Sequence, residues 1–320
     1  MSASQNGEQR SLKADSDVKE EALVNDCEEE QVDDDDGIDE DFEEYNTLYH
    51  IGVIQYSRDE TISAVREFYT FLSKMYIDES DILEPPEGGW PHMENLRCMG
   101  KTDEVIELLR HLPYLRNKQP EAEDGTTPLT PGSVWFRPNE DWGQDLRQAS
   151  EPYEFVDEGV IPPSVVGLTY NRWRDGKYFL LDTERGIVHW YECPGQIEHN
   201  PDHPLAVTAI DAPYEWAPEN EQEWRENNPA WAVADLFAIL RQQFEVLNFV
   251  PLGPRNVAEV FTIGDDNREV ITAVQNIYRQ HGWPDLAAYR KEDCLRAVRK
   301  LVREDFPEHI KRFQGEDYED

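Results

Sequence analysis

Positive charge is scarce in this chain: 30 Lys and Arg stand against 68 Asp and Glu in 320 residues, a formal net charge of −38. Phosphate backbones and anionic lipid headgroups are normally held by Lys and Arg clusters that displace counterions, and a surface this acidic repels both. Generic nucleic-acid or membrane-surface binding is therefore not expected. Cysteine is sparse too. Cys27, Cys98, Cys193 and Cys294 lie far apart, with no CxxC pair and no disulfide-scaffold density, which leaves reduced thiols as the default. Met1 to Arg10 contains no signal-peptide apolar stretch, and no later window approaches the ~18 apolar residues of a spanning helix. These absences predict a soluble intracellular protein with a cytoplasmic or nuclear address. Nor is there a GxGxxG, Walker A, GxSxG or HExxH pattern, so the common phosphate cradles, the nucleophile elbow and the zincin helix have no support.

What the chain does contain falls into two compositional blocks. Residues 1–44 hold 18 acidic side chains against Arg10, Lys13 and Lys19, with Phe42 as the single aromatic. Such a block has too little apolar surface to offset the entropy of ordering its backbone, so a disordered acidic arm is expected. It could be an electrostatic lure for a basic partner, a mimic of nucleic acid, or simply a solubilising tail. Residues 45–320 should form an α+β globular domain, with a helical C-terminal part from about residue 252.

Asp59 to Ile77 place Ile62, Val65, Phe68, Tyr69, Leu72 and Tyr76 at three-to-four spacing, with Ser57 and Glu60 in capping-box register, which predicts an amphipathic helix. Glu84 to Gly89 ends that segment, and Thr102 then caps a short helix that Pro113 stops. A loop is expected over Asn117–Pro131 and a strand over Ser133–Arg137. Val165–Trp173, Lys177–Asp182 and Ile187–Glu192 read as an antiparallel meander. Asp175-Gly176 suits its first turn, and Thr183 to Gly186 its second. Asn228 and Pro229 look like the start of a long helix carrying Trp231, Leu236, Phe237, Leu240, Phe244 and Leu247, ending near Pro251. Helices over Asp266–His281 and Lys291–Phe306 complete the pattern. An echo links Gly89-Trp90-Pro91 with Gly282-Trp283-Pro284, and both tryptophans are expected to plug the core.

Candidate chemistry is thin. His199 and His203 have HxxxH spacing and Glu198 and Asp202 nearby, but Pro201 interrupts the pair, which points to a surface loop rather than a metal site. Asp182 is the most conspicuous carboxylate. With Glu192 as partner it could serve acid–base catalysis, or it could be an Asx-type turn residue bonding Glu184 or Arg185. Trp173, Tyr178, Asp182 and Trp190 are the candidate binding residues, since the aromatic run of the meander could line a cleft or could simply pack. The last helix shows a basic face of Arg296, Arg299, Lys300 and Arg303. Either the acidic arm contacts it, or Glu292, Asp293, Glu304 and Asp305 compensate it locally.

Two resemblances follow from these segments. Gly89 to His92 through Lys101 to Tyr114, together with Ile277 to Asp285 through Tyr289 to Cys294, resemble signature segments of a large family of filamentous-fungal proteins with no established activity, which implies a fungal lineage. Val165 to Gly167, Phe179 to Asp182 and Gly186 to Trp190, followed by the helix over Ala230–Leu247, are similar to the SUKH superfamily. That superfamily includes bacterial toxin-immunity proteins and a fungal cell-wall synthesis regulator. The second resemblance implies an α+β interaction module, a binding protein rather than an enzyme. The resulting expectation is an antiparallel β-meander packed against several helices, with no cofactor, that binds another protein, a basic one being suggested by the charge. A small-molecule hydrolase using Asp182 and Glu192, and an acidic chaperone for basic proteins, are the alternatives.

Overall fold

The computed structural model describes residues 54–91, 97–98, 100–116, 151, 156, 159–169, 178–206, 214–215, 217–253, 256–262 and 264–307, without the side chains of 265 and 266. The arm over 1–44, the loop over 117–131, the strand over 133–137, the Asp175-Gly176 turn and Trp173 lie outside the described residues.

The first helix, α1 (Arg58–Met75), begins where the capping pattern places it: Ser57 Oγ accepts from the Glu60 amide at 3.3 Å, and Asp59 and Glu60 sit in the positive first turn. Its apolar stripe, Val65, Phe68, Tyr69 and Leu72, is buried. Strand β1 (Ile82–Leu83) pairs antiparallel with β2 (Tyr114–Leu115), and between them runs α2 (Asp103–His111), capped by Thr102.

The architecture is α+β. A four-stranded antiparallel sheet runs in the order β3 (Val165–Gly167), β4 (Tyr178–Asp182), β5 (Ile187–Tyr191) and β6 (Ala230–Ala232). Thr183 to Gly186 form the β4–β5 turn, and Gly186 takes the positive φ (71°) that such a turn needs. After a four-residue helix, α3 (Gly195–Glu198), and before β6 comes α4 (Glu219–Glu226); α5 (Val233–Glu245) follows β6 directly. The chain continues through the β7 (Phe249–Pro251) and β8 (Val257–Glu259) hairpin into α6 (Asp265–Gln280) and α7 (Lys291–Asp305).

Three expectations are corrected here. Asn228 and Pro229 do not start a helix: Ala230, Trp231 and Ala232 pair with His189, Val188 and Ile187 as the edge strand of the sheet. The long helix is shorter at both ends, because Leu247 turns the chain into left-handed backbone (φ 64°) and Phe249 then starts β7. The part after residue 252 is not helical at once, since β8 precedes α6.

Side chains alternate across the sheet. Phe179, Leu181, Val188 and Trp190 face α1 and α5 in the main core, where Phe68 lies 5.5 Å from Phe237 and Phe244 lies 5.5 Å from Phe249. Leu180 and Ile187 face the other way, into two smaller apolar groups under α4.

The two Gly-Trp-Pro segments use the same parts against different neighbours. Trp283 is 3% exposed and its Nε1 donates to the Phe244 carbonyl at 2.9 Å, at the end of α5. Trp90 is half-buried and donates to the Leu112 carbonyl at 3.0 Å, at the end of α2. Each preceding glycine has positive φ, 82° at Gly89 and 100° at Gly282, and a Cβ there would stand 2.8 Å from the Arg110 carbonyl oxygen and 2.6 Å from that of Ala288. Beyond Trp283, the chain reaches back to α1. Tyr289 Oη donates to the Met75 carbonyl at 2.8 Å, and Lys291 Nζ donates to the carbonyls of Ser73 and Ile77 at 2.8 and 2.7 Å, closing the C-terminal end of α1.

Candidate functional site

The polar residues that the fold brings together lie on the α4 side of the sheet. Asp182 ends β4, 1% exposed, and its Oδ1 accepts from the amides of Glu184 and Arg185 at 2.9 and 3.2 Å. That is the Asx-type turn its position before Thr-Glu-Arg-Gly implies. Its Oδ2 accepts from Arg225 Nη1 at 2.9 Å. Arg225, 3% exposed, also donates from Nε and Nη2 to Glu221 Oε2 at 3.1 and 2.8 Å, one helical turn away on α4. The guanidinium lies 4.4 Å from the centre of the Trp224 ring.

His189 completes the group. Period-two alternation puts it on the face opposite to Val188 and Trp190, and cross-strand pairing sets it against Leu180, two residues from Asp182. Its Nδ1 donates to the Asn228 carbonyl at 3.1 Å, leaving Nε2 as the bare nitrogen, 3.4 Å from Arg225 Nη1. Burial, reinforced by the Arg225 charge and opposed by the Asn228 hydrogen bond, holds the ring down to about 3, so it is neutral at pH 7. Asn228 is itself fixed by a bond from its Nδ2 to the Trp224 carbonyl. Tyr214 packs 6.0 Å from the imidazole, its hydroxyl pushed up by burial. One cation thus joins two carboxylates, and a neutral imidazole points at the junction.

Among the four candidate binding residues, Tyr178 and Asp182 share this face, Trp190 is fully buried on the opposite one, and Trp173 lies outside the described residues. Tyr178 meets Tyr191 edge-on at 6.3 Å, and Trp190 meets Phe179 at 5.1 Å. Glu192 is not brought to Asp182: it follows Tyr191, which pairs with Tyr178 at the other end of the hairpin, and it is exposed. His203 turns inward, its Nε2 against Gln242 Oε1 of α5, while His199 stays exposed. No group of three or more His, Cys, Asp or Glu among the described residues is placed to hold a metal ion. Cys294 is buried and its thiol is pushed up to about 11, mainly by burial. On the basic face of α7, Arg296 pairs with Asp293 at 3.0 Å and Lys300 with Glu304 at 3.8 Å, so these two are compensated locally.

Sequence reading missed Arg225, Glu221, His189 and Asn228. A faint signal exists: Glu221 and Arg225 are spaced one helical turn apart around Trp224, an apolar residue that orients the turn towards a core. No helix among the described residues is long and apolar enough to cross a membrane. In comparisons with protein-family models, curated proteins and solved structures, the chain matches none.

Proposed function

We propose that this chain is a non-enzymatic protein-interaction or regulatory module, SUKH-like in character, acting in the cytoplasm or nucleus on another protein. The observation that carries this reading is the mutual commitment of the buried ionisable groups. Asp182 uses both oxygens on Arg225 and on its own turn, Arg225 is shared with Glu221, and His189 is bonded to the backbone. General acid–base catalysis needs groups within hydrogen-bond reach of a substrate proton. Asp182 and Glu192, the pair a hydrolase would use, stand at opposite ends of one hairpin. The charge favours a basic partner: outside residues 1–44 the chain still carries 50 acidic against 27 basic side chains.

Affinity capture with cross-linking and mass spectrometry, using the full chain and one lacking residues 1–44, tests the reading. A stoichiometric protein partner recovered by both chains is the expected result. Recovery by the full chain alone would favour an acidic chaperone working through those residues. Hydrolysis of a small-molecule ester that Asp182→Asn abolishes, with no partner recovered, would overturn it.

A further inference from the structure

The two faces of the sheet are covered in different ways. One lies in a continuous apolar core, whereas the other is closed by two small apolar groups, around Ile187 and Ala230 and around Leu180 and Trp224. The Arg225 cluster stands on that same face, so α4 is held there by its ion pairs together with the burial of Trp224. Its outer residues Glu219, Glu223 and Glu226 are exposed, and Trp224 and Arg225 anchor its inner side.

Arg225 Nη1 donates to Asp182 Oδ2 at 2.9 Å, and the same nitrogen faces His189 Nε2 at 3.4 Å. The imidazole therefore reaches the point where Asp182 meets its cation. A protonated ring and a guanidinium repel each other at that distance in a dry site, and either one alone can pair with Asp182.

We propose that α4 is a strap released by a proton: when His189 takes up a proton from solvent, the imidazolium replaces Arg225 as the cation beside Asp182 and α4 lifts from the sheet. The only covalent change is the N–H bond formed at Nε2. The charged group facing the ring is Arg225 from α4, which itself holds Asp182 of β4 and Glu221 of α4, and un-ionised Tyr214 packs beside the ring ahead of α4. Burial and Arg225 oppose the protonated ring, and the hydrogen bond to the Asn228 carbonyl favours it. When α4 leaves, Arg225 and Glu221 leave together while Asp182 stays, two residues along the same face. Lifting α4 also hydrates the ring, returning it towards its ordinary value of about 6.5. Each opening then takes up one proton, so the opening equilibrium rises about tenfold for each pH unit below ~6.5.

Hydrogen–deuterium exchange of the full chain between about pH 4.5 and 7.5, corrected for the intrinsic pH dependence of exchange, reads this opening in residues 219–228. The expected result is an opening constant for α4 that climbs by about tenfold per pH unit below ~6.5 while α1 and α5 stay protected. His189→Gln, which keeps a donor for Asn228 but cannot be protonated, should flatten the α4 profile. Exchange of α4 in step with α1 and α5 at every pH overturns the proposal, as does a slope that survives in His189→Gln. If that variant does not fold, the comparison of α4 with α1 and α5 in the unaltered chain decides by itself.

Discussion

Arg225 and His189 show how much a single buried side chain can control. Removing the guanidinium leaves Asp182 and Glu221 as carboxylates without a cation in a site closed to water, which is far costlier than losing an exposed pair. Arg225→Met is expected to destabilise the fold by about 3–5 kcal/mol in urea unfolding. Arg225→Lys should be destabilising too, because an ammonium cannot reproduce the fork that serves two carboxylates. The neutral state of His189 ties stability to acid. Folded, the ring stays deprotonated down to about 3, whereas unfolded it takes its proton near 6.5. Between those values the unfolded chain binds more protons, so this contribution is complete above ~6.5 and is lost as pH falls towards 3, up to ~5 kcal/mol if fully expressed. The urea midpoint should therefore drop between pH 7 and 5, and His189→Gln should remove most of that drop; an unchanged slope in the variant would reject the assignment.

At the level of elements, the two Trp plugs are separated by burial. Trp283 is 3% exposed and touches Phe71 at 5.7 Å and Tyr289 at 5.1 Å, so Trp283→Ala should cost about 3–5 kcal/mol. Trp90 is half-buried, and Trp90→Ala should cost less; equal losses in thermal unfolding would contradict this ordering. The same contrast in packing explains which elements were legible in the sequence. Helices α1, α2, α6 and α7 carry apolar residues at helical spacing, and α1 and α2 have capping side chains besides, so local signals and burial agree. Strand β6 was not legible, because Asn-Pro before an apolar run is also how helices begin, and only its pairing with β5 decides otherwise. Helix α4 is polar at nearly every position and offers no stripe to detect. The Asx turn of Asp182 was readable because its partners are two and three residues away; its bond to Arg225 spans 43 residues, and an arginine in a polar run reads as surface.

For the whole molecule, charge and order of assembly dominate. Residues 1–44 offer little apolar area, so their deletion should leave Tm nearly unchanged; a fall of more than about 4 °C, roughly 1 kcal/mol or more, would show that they dock on the rest. Lys291 stands 218 residues after Ser73, yet its ammonium closes the end of α1. At ~5–20 residues per second of synthesis, the carbonyls there wait about 10–40 s for a partner that has not yet been translated. Until then they must be served by water or by a binding chaperone. A message truncated before that codon yields a chain whose lesion is at one end and whose incomplete helix is at the other.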